Sequence, residues 1–445
     1  MTNSEIIAKL KSDNAQSIML QFSDLHGIAK SFTIPVSKAD DALASGIWFD
    51  GSSIVGFTRI AESDMYLKPD ISTYGILEWL TNSEGKTARF ICDVHTPEDE
   101  PFAGDPRYVL KKVMEKARRM GYVYKTGVEL EFFLFETENG AIKCESAGNG
   151  YYFNADTARI SEIKKEILKA LSALHIDVEV SHSEVAANQH EIDFKYADAV
   201  KTADNAMTFK FAVKSIAAKH GMHATFMPKP IFGVNGSGMH THQSFSKISD
   251  DTNAFYDARD PYHLSEIAKQ FIAGLLKHAK EYSAVIAPTV NSYKRLTPGF
   301  EAPVYVCWAS RNRSALVRIP KTFKDKSHVA TRAELRCPDP ASNPYLAFAV
   351  MLSSGLRGIE NAYTLPAPSE EDVFELDDDK LTQKNIDKLP GTLLEALSYY
   401  YKSDLVKEAL GDHLYKEYYR AKYAEWDEFR RAVTDWEIKK YLEVL

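Results

Sequence analysis

The chain contains little cysteine and no long apolar run, and each absence excludes a class of protein. Its 4 cysteines are scattered over 445 residues without a Cys-x-x-Cys pair, so the sequence predicts reduced, structural thiols and no disulfide framework or zinc knuckle. A transmembrane helix needs about 18 consecutive apolar residues, and the sequence has no such stretch. The N-terminus lacks the build of a signal peptide. We therefore expect a cytoplasmic protein with no membrane partner.

A strong charge of either sign is also lacking. The net charge is -8 over 445 residues, which disfavours a nucleic acid partner. Hydrophobic residues make up 44% of the chain, with 23 Tyr and 23 Phe, and this composition predicts a folded protein with a large interior. The length predicts two or three domains.

A proline-rich, acidic segment divides the chain. Residues 96–106 hold three prolines and four acidic residues, so we expect an exposed connector there. We place a small N-terminal domain at residues 1–103 and a larger domain at residues 104–445. In the larger part helical patterns alternate with strand-like stretches, which predicts an α+β domain on a largely antiparallel sheet. The polar run at residues 366–379 is predicted to be a solvated loop.

Three short stretches place charged side chains where a buried strand would be apolar. They are residues 128–132, 239–242 and 332–336. Successive side chains of a strand face opposite sides of the sheet, so Glu129 and Glu131 share one face. We interpret these stretches as the lining of a metal-binding cavity.

The candidate metal ligands are five carboxylates and one imidazole: Glu129, Glu131, Glu184, Glu191, Glu334 and His240. Hard oxygen ligands suit Mg²⁺ or Mn²⁺ better than zinc or copper. Two ions are the economical interpretation, because several carboxylates repel one another in one pocket unless cations offset their charge. For any single pair, an ordinary strand with its acids in water is the simpler interpretation; the joint pattern, with arginines nearby, favours the metal site.

Six motifs resemble, in order and spacing, those of glutamine synthetase, type I. The first three are Trp48-Phe49-Asp50-Gly51-Ser52-Ser53, Glu129-Leu130-Glu131-Phe132-Phe133, and Lys229-Pro230 with Asn235-Gly236-Ser237-Gly238-Met239-His240. The others are Asn291-Ser292-Tyr293-Lys294-Arg295-Leu296 with Pro298-Gly299-Phe300-Glu301-Ala302-Pro303, Arg311-Asn312-Arg313-Ser314, and Pro338-Asp339-Pro340 with Asn343-Pro344-Tyr345. Ordered motifs are far more specific than any one of them.

The resemblance implies a fold and a reaction. The fold is a small N-terminal β-grasp-like domain followed by a large catalytic domain with a curved, mainly antiparallel sheet flanked by helices. The reaction is ATP-dependent ligation of ammonium to L-glutamate, giving L-glutamine, ADP and phosphate through γ-glutamyl phosphate, as in nitrogen assimilation. A carboxylate is a poor electrophile, so it must first be phosphorylated, and metal ions hold the triphosphate.

The resemblance also implies a role for each matching residue. One metal ion would be held by Glu131, Glu184 and Glu191, and the other by Glu129, His240 and Glu334. ATP would contact Glu179, Tyr196, His242, Ser244, Arg318 and Arg332. Glutamate would contact Asn235, Gly236, Arg295, Glu301, Arg313 and Arg336.

Catalytic roles fall on Asp50, Glu301 and Arg313. Asp50 matches the residue that deprotonates ammonium, and Glu301 matches a flap residue that keeps water from the intermediate. Arg313 matches one of the phosphate-side arginines. Without the resemblance, Asp50 is part of a commonplace turn and Glu301 is a surface acid.

The resemblance further implies an oligomer with its active sites between subunits, usually a dodecamer of two hexameric rings. The chain resembles the short alpha subgroup, found in bacteria and archaea, in which Arg59 matches an arginine tied to glutamine feedback. A regulatory partner such as a PII-type nitrogen sensor is consistent with that subgroup. Ser183 stands where the family usually has a second histidine, and the loop at 321–331 is longer than expected.

Two alternatives stay open. A γ-glutamyl-amine ligase uses the same scaffold but often lacks the ammonium-site aspartate, which is present here as Asp50. A non-catalytic, ring-forming homologue should have lost ligands, yet all the candidate ligand positions are occupied by suitable residues.

Overall fold

The computed structural model describes residues 1–52, 54–56, 64–83, 85–144, 152–300, 302–371 and 373–445. Two candidate residues, Arg59 and Glu301, lie outside these ranges. Within them, no helix combines the length and apolar character needed to cross a bilayer. The cysteines Cys92, Cys307 and Cys337 are buried and Cys144 is exposed, and all are free thiols, as predicted.

The N-terminal part forms a small sheet covered by two helices. Its elements are α1 (Asn3–Ser12), β1 (Ala15–Ser23), β2 (Ala29–Pro35), α2 (Ala39–Ser45), β3 (Ile47–Asp50), β4 (Asp64–Pro69), β5 (Gly75–Ile76) and β6 (Lys86–His95). The strand order is β2-β1-β6-β4-β3, with β5 also paired to β6. The central strands β1 and β6 are parallel and the other pairs are antiparallel. Ile6 and Leu10 of α1 pack on Leu20 and Phe90 in this core.

The larger part is built around a second sheet. Its strands are β7 (Tyr122–Glu138), β8 (Ala141–Ile142), β9 (Val178–Ser183), β10 (Gln189–Phe194), β11 (Ala197–Asp198), β12 (Met222–Thr225), β13 (Met239–Lys247), β14 (Tyr305–Ala309), β15 (Ala315–Arg318), β16 (Ala333–Leu335) and β17 (Asp387–Lys388). The order is β17-β14-β15-β16-β13-β7-β10-β9, and β8, β11 and β12 also pair with β7. Only β14 and β15 run parallel among the described pairs. The predicted mainly antiparallel α+β fold is confirmed.

Helices flank this second sheet. They are α3 (Pro106–Arg119), α4 (Ala158–Ala173), α5 (Ala199–Lys219), α6 (Glu266–Lys277), α7 (Ala279–Ile286), α8 (Ser292–Arg295), α9 (Ser327–Ala330), α10 (Pro344–Glu360), α11 (Asp378–Gln383), α12 (Leu393–Tyr400), α13 (Asp404–Arg431) and α14 (Asp435–Tyr441). Helix α10 is buried along almost its whole length and crosses α6 closely. A Cβ on Gly358 would lie 2.1 Å from the carbonyl oxygen of Gln270, so only glycine permits this approach.

Two polar segments are more ordered than their composition suggests. In the connector, residues 97–101 are exposed as predicted, but Asp105 is fully buried. Asp105 caps α3 by accepting from the Arg107 N–H at 2.9 Å. In the polar run, Glu370 accepts from the backbone N–H groups of Ser310 and Arg311, both at 2.9 Å. The segment 366–379 is mostly exposed, as predicted, and Glu370 in addition anchors it to the turn after β14 by satisfying two backbone donors.

Candidate active site

The long strand β7 supplies the centre of the site. Its side chains alternate, so Leu130 is buried in the core while Glu129 and Glu131 face the other way. The antiparallel neighbour β10 places Glu191 opposite Glu131 and Asp193 opposite Glu129. Directly opposite residues on antiparallel strands lie close together on the same face. The register of this one strand pair therefore gathers four carboxylates.

The other edge of β7 adds two histidines and a further carboxylate. Strand β13 places His240 opposite Glu129, and β16 places Glu334 opposite His242. His240 Nδ1 lies 3.0 Å from Glu129 Oε2 and 3.7 Å from Glu334 Oε1. His242 Nε2 lies 2.7 Å from Glu129 Oε1. Ligand atoms of Glu129, His242 and Glu334 all fall within 4.8 Å of one another.

A second group of possible metal ligands lies beside the first. Ligand atoms of His182, Glu184 and Glu191 also fall within 4.8 Å of one another. His182 Nε2 is 3.2 Å from Glu191 Oε1, and its Nδ1 is 3.5 Å from Glu184 Oε1. His240 Nε2 approaches Glu131 Oε1 at 4.0 Å. The predicted ligands thus converge as two adjoining groups, with His182 and His242 as additional donors.

Glu131 has a fixed orientation. Its Oε2 accepts a hydrogen bond from Gln189 Nε2 at 2.8 Å and another from the Gly238 N–H at 3.0 Å. Gln189 also donates to the Gly236 carbonyl at 3.1 Å. These bonds occupy one carboxylate oxygen and connect the acidic cluster to the glycine-rich loop at 235–238.

The acidic cluster carries an excess of negative charge. Burial, together with neighbouring carboxylates led by Glu131, raises the pKa of Glu191 to about 11. Burial also opposes ionisation of Glu129, but hydrogen bonds from His240 and His242 hold its pKa well below the usual range. A site with this donor set and this repulsion fits a divalent cation, which would favour the ionised carboxylates. Oxygen donors dominate, which fits Mg²⁺ or Mn²⁺.

Arginines border the Glu334 side. Arg336 Nη1 donates to Glu334 Oε1 at 2.7 Å, and Arg318 Nη1 donates to Glu334 Oε2 at 3.1 Å. Arg332 Nε donates to His242 Nδ1 at 3.2 Å, which leaves His242 Nε2 to face Glu129. Although burial opposes ionisation of Glu334, Arg336 lowers its pKa. The fully buried Glu334 is therefore a member of the acidic cluster that also accepts hydrogen bonds from two arginines.

A cavity of about 400 Å³ adjoins Glu129. Five of the predicted nucleotide contacts line it: Glu179, Tyr196, His242, Ser244 and Arg332. The sixth, Arg318, contacts Glu334 instead. Gly127 also lines the cavity, and a Cβ there would lie 3.1 Å from the Tyr196 Cβ. The volume is within the range of roughly 300–1,000 Å³ that is usual for small-molecule sites.

Two of the predicted glutamate contacts, Asn235 and Gly236, belong to the glycine-rich loop, and Arg295 lies beside it. Arg295 is buried, and it donates to the carbonyl oxygens of Cys337 at 2.9 Å and Arg336 at 3.2 Å. A Cβ on Gly236 would lie 2.2 Å from a backbone carbonyl oxygen, so a larger residue would displace the loop that also carries Asn235. Arg295 also packs against the loop, because a Cβ on Gly238 would lie 2.7 Å from Arg295 Nη2.

The remaining predicted catalytic residues lie apart. Asp50 is exposed at the end of β3 in the small sheet, and its Oδ1 accepts from the Ser52 N–H at 2.8 Å. Arg313 is exposed in the turn between β14 and β15. Glu301 and Arg59 lie outside the described residues. The structure therefore brings together the metal and nucleotide candidates but assigns Asp50 to the other sheet.

Two protein-family models match the chain. "Glutamine synthetase, catalytic domain" matches residues 103–441, and "Glutamine synthetase, beta-Grasp domain" matches residues 14–97. The chain belongs to the glutamine synthetase family. As a member it is an ATP-dependent ligase, and the predicted resemblance is confirmed.

Individual relatives agree with this family. The glutamine synthetase of Clostridium saccharobutylicum is 48% identical over 443 residues, covering 99% of this chain and 98% of the relative. That of Methanosarcina mazei is 48% identical, covering 100% and 98%, and that of Thermotoga maritima is 47% identical, covering 99% and 100%. A solved GmaS/ADP complex superposes with a TM-score of 0.88 at 31% identity, covering 98% of this chain and 99% of GmaS.

Sequence reasoning missed several residues of this glutamine synthetase family site. Asp193 lines the cavity, and burial beside Glu129 raises its pKa to about 7. The two-residue spacing between Asp193 and Glu191 could have predicted that both face the site. No local sequence pattern, in contrast, predicts that Gln189 hydrogen-bonds Glu131. His182 could have been predicted as a further ligand from its position two residues before Glu184. The neighbouring Ser183 Oγ donates to the Asn154 carbonyl at 2.9 Å.

Proposed function

We propose that the chain catalyses ATP-dependent ligation of ammonium to L-glutamate, giving L-glutamine, ADP and phosphate through γ-glutamyl phosphate. Membership of the glutamine synthetase family supports ATP-dependent ligation of glutamate. The observation that carries the finer proposal is the convergence of Glu129, Glu131, Glu191 and Glu334 beside a cavity of nucleotide size. A cluster of buried acids lowers the stability of the fold, so its presence favours a catalytic site over a site that only binds a ligand.

Two divalent cations are proposed for this cluster, Mg²⁺ or Mn²⁺. Glu131, Glu184 and Glu191 would hold one, and Glu129, His240 and Glu334 the other, with His182 and His242 adjacent. When bound, such cations neutralise the triphosphate and polarise the transferred phosphoryl group. Glu334 in turn fixes Arg318 and Arg336 through its two oxygens, which orients two guanidinium groups before substrate arrives.

The chain's other residues bind and position the substrates. Glu179, Tyr196, His242, Ser244 and Arg332 surround the cavity proposed for ATP. Asn235, Gly236, Arg295 and Arg336 would bind glutamate, together with Arg313. The planar guanidinium groups suit both carboxylate and phosphate. Binding of both substrates in one site would then present the glutamate carboxylate to the γ-phosphate.

Asp50 and Glu301 are proposed for the second step. Asp50 would accept a proton from ammonium, because ammonia attacks only after deprotonation, and Glu301 would shield the acyl phosphate from water. The exposure of Asp50 at the end of β3 supports a site completed by a neighbouring subunit. Members of this family are generally oligomeric, and we propose a dodecamer of two hexameric rings.

Further features of the proposal concern organisation and control. We place the domain boundary between residues 103 and 104, after β6 and before α3. Arg59 is proposed to take part in glutamine feedback, and a PII-type sensor is the candidate regulatory partner. Neither nucleic acid nor membrane is part of the proposal.

An assay of phosphate release tests the reaction. The purified chain is given glutamate, ATP and Mg²⁺, and ammonium is compared with a panel of amines that includes methylamine and putrescine. We expect the highest kcat/KM with ammonium. Higher values with an amine would establish the γ-glutamyl-amine ligase instead, and no release with any acceptor would support the non-catalytic, ring-forming homologue.

A further inference from the structure

A second cavity lies at the junction of the two domains. Its volume is about 520 Å³, again within the usual range of roughly 300–1,000 Å³ for small ligands. The small domain contributes β6 and the turn at residues 70–74, and the catalytic domain contributes α3, α5 and the end of α4. Among the described residues, none of the predicted site residues lines it.

One arginine of this junction cavity is fully neutralised. Arg107 forms ion pairs with Asp70 at 2.7 Å, Asp93 at 2.7 Å and Asp204 at 2.9 Å. The Tyr345 hydroxyl donates to Asp204 at 2.6 Å. This network joins the domains and occupies the nearby carboxylates, so it offers no free positive charge.

Arg89, on the cavity wall contributed by β6, forms no ion pair with the described residues, although Asp204 is near enough to favour its charged form against the burial that lowers its pKa to about 10. It is only 4% exposed, and no carboxylate of the described chain lies within ion-pair distance of it. Nη1 donates to Thr208 Oγ1 at 2.8 Å and weakly to Gln21 Oε1 at 3.5 Å. Its Nε has no hydrogen-bond partner in the described residues. A buried charge without an ion pair is costly, so an anion in the cavity would stabilise the Arg89 guanidinium.

The rim of the cavity adds further positive charge. Arg118 of α3 and Lys201 of α5 line it and are exposed, and neither forms an ion pair with a residue in the described ranges. The lining acid Asp198 caps α5 by accepting from the Lys201 N–H at 3.2 Å. Glu115 lies exposed on α3. The lining carries five Lys and Arg side chains and four acidic ones. Arg118 and Lys201 at the rim and Arg89 inside are the cations without an ion pair in the described ranges, and they would attract an anion.

We propose that this junction cavity binds a small anion through a carboxylate or phosphate group, with Arg89 as the inner contact and Arg118 and Lys201 as outer contacts. This goes beyond the proposed reaction and does not depend on it. Because both domains supply the walls, a bound anion links them and stabilises the folded chain.

Titration of two simple anions tests the site. Inorganic phosphate and succinate are each titrated calorimetrically into the full chain, which distinguishes the phosphate from the carboxylate source. Arg89 is buried, so the test variant is Arg118→Gln with Lys201→Gln. The matched control is Lys112→Gln with Arg119→Gln, which removes two exposed charges of α3 outside the lining.

We expect the wild type and the control to bind at least one probe and to unfold at a higher temperature in its presence. The test variant should bind that probe at least about 10-fold more weakly, with unchanged kcat and KM for the three substrates. Absence of binding to both probes in the wild type overturns the proposal. Affinity that is equal in wild type and test variant also overturns it, because the anion then occupies the catalytic cleft.

Discussion

At the scale of single residues, the site depends on how acids and bases are paired. Glu334 is fully buried, and each of its oxygens accepts from a different arginine. Glu191 lies among other carboxylates and has no arginine partner in the described residues. The first is thus held ionised by cations that the chain supplies, whereas the second needs a cation from solution.

Replacing Glu334 with glutamine should disable the first chemical step. The amide keeps the shape but loses the charge that binds Arg318 and Arg336, so we expect kcat to fall by about 100-fold or more, roughly 3 kcal/mol in the barrier. Formation of γ-glutamyl phosphate and kcat are measured, with circular dichroism as the test of folding. Glu98→Gln, an exposed acid of the connector, is the control. Near-normal turnover in a folded Glu334→Gln chain would remove this residue from the site.

Metal binding should release a proton from Glu191. With its pKa raised to about 11, the metal-free protein keeps this carboxyl protonated at neutral pH, and a cation favours the ionised form. Affinity for Mn²⁺ should therefore rise with pH below about 11. Titration calorimetry at one pH, in buffers of different ionisation enthalpy, measures the released proton. Glu191→Gln should lose this release, and an equal heat in all buffers for the wild type would contradict the prediction.

At the scale of elements, Asn343 connects the core helix to the small domain. Its Oδ1 accepts from the Tyr345 N–H at 3.0 Å at the start of α10, and its Nδ2 donates to the Asp24 carbonyl at 2.9 Å. Gly27 has φ +74, and a Cβ there would lie 2.7 Å from the Asn343 Cα. One side chain therefore caps a helix and bonds across the domain junction.

Removing the Asn343 side chain should destabilise the fold. Asn343→Ala loses the cap and leaves buried backbone groups unsatisfied, so the free energy of unfolding should fall by roughly 1–2 kcal/mol. Denaturant unfolding at a fixed protein concentration measures it. Asn361→Ala, at the exposed end of the same helix, is the matched control and should change stability by less than about 0.5 kcal/mol. Similar losses for both variants would mean that the cap has no special role.

At the scale of the whole molecule, the proposed reaction needs residues from both sheets. The acids of β7, β10 and β16 lie in the catalytic domain, whereas Asp50 lies exposed in the small one. A ring of subunits would bring the small domain of one chain to the catalytic domain of the next, which is a heterologous contact that closes on itself.

Mixed assemblies test this arrangement. Asp50→Asn and Glu334→Gln chains should each be nearly inactive, but dissociating and reassembling them together should restore activity. In a random equal mixture, about a quarter of the shared sites would combine two intact halves. Phosphate release by the mixture, compared with each variant reassembled alone, is the measurement. No recovery, in assemblies shown to contain both chains, would mean that each site belongs to one chain.

The sequence predicted the parts of this site that depend on local periodicity. The two-residue alternation of a strand assigned Glu129 and Glu131 to one face, and the structure has them so. The alternation of helical and strand-like patterns in the larger part likewise predicted the α+β class. Ordered motifs predicted the family, and the comparisons confirm it.

The tertiary structure alone decided which residues meet. Glu131 lies opposite Glu191, and His240 lies opposite Glu129, through strand registers between segments far apart in the chain. Local patterns do not specify such registers, because they depend on the packing of the whole sheet. For the same reason, composition predicted an exposed connector that includes Asp105, whereas the packed domain junction buries this side chain. Only the tertiary structure shows that Arg89 forms no ion pair with the described residues.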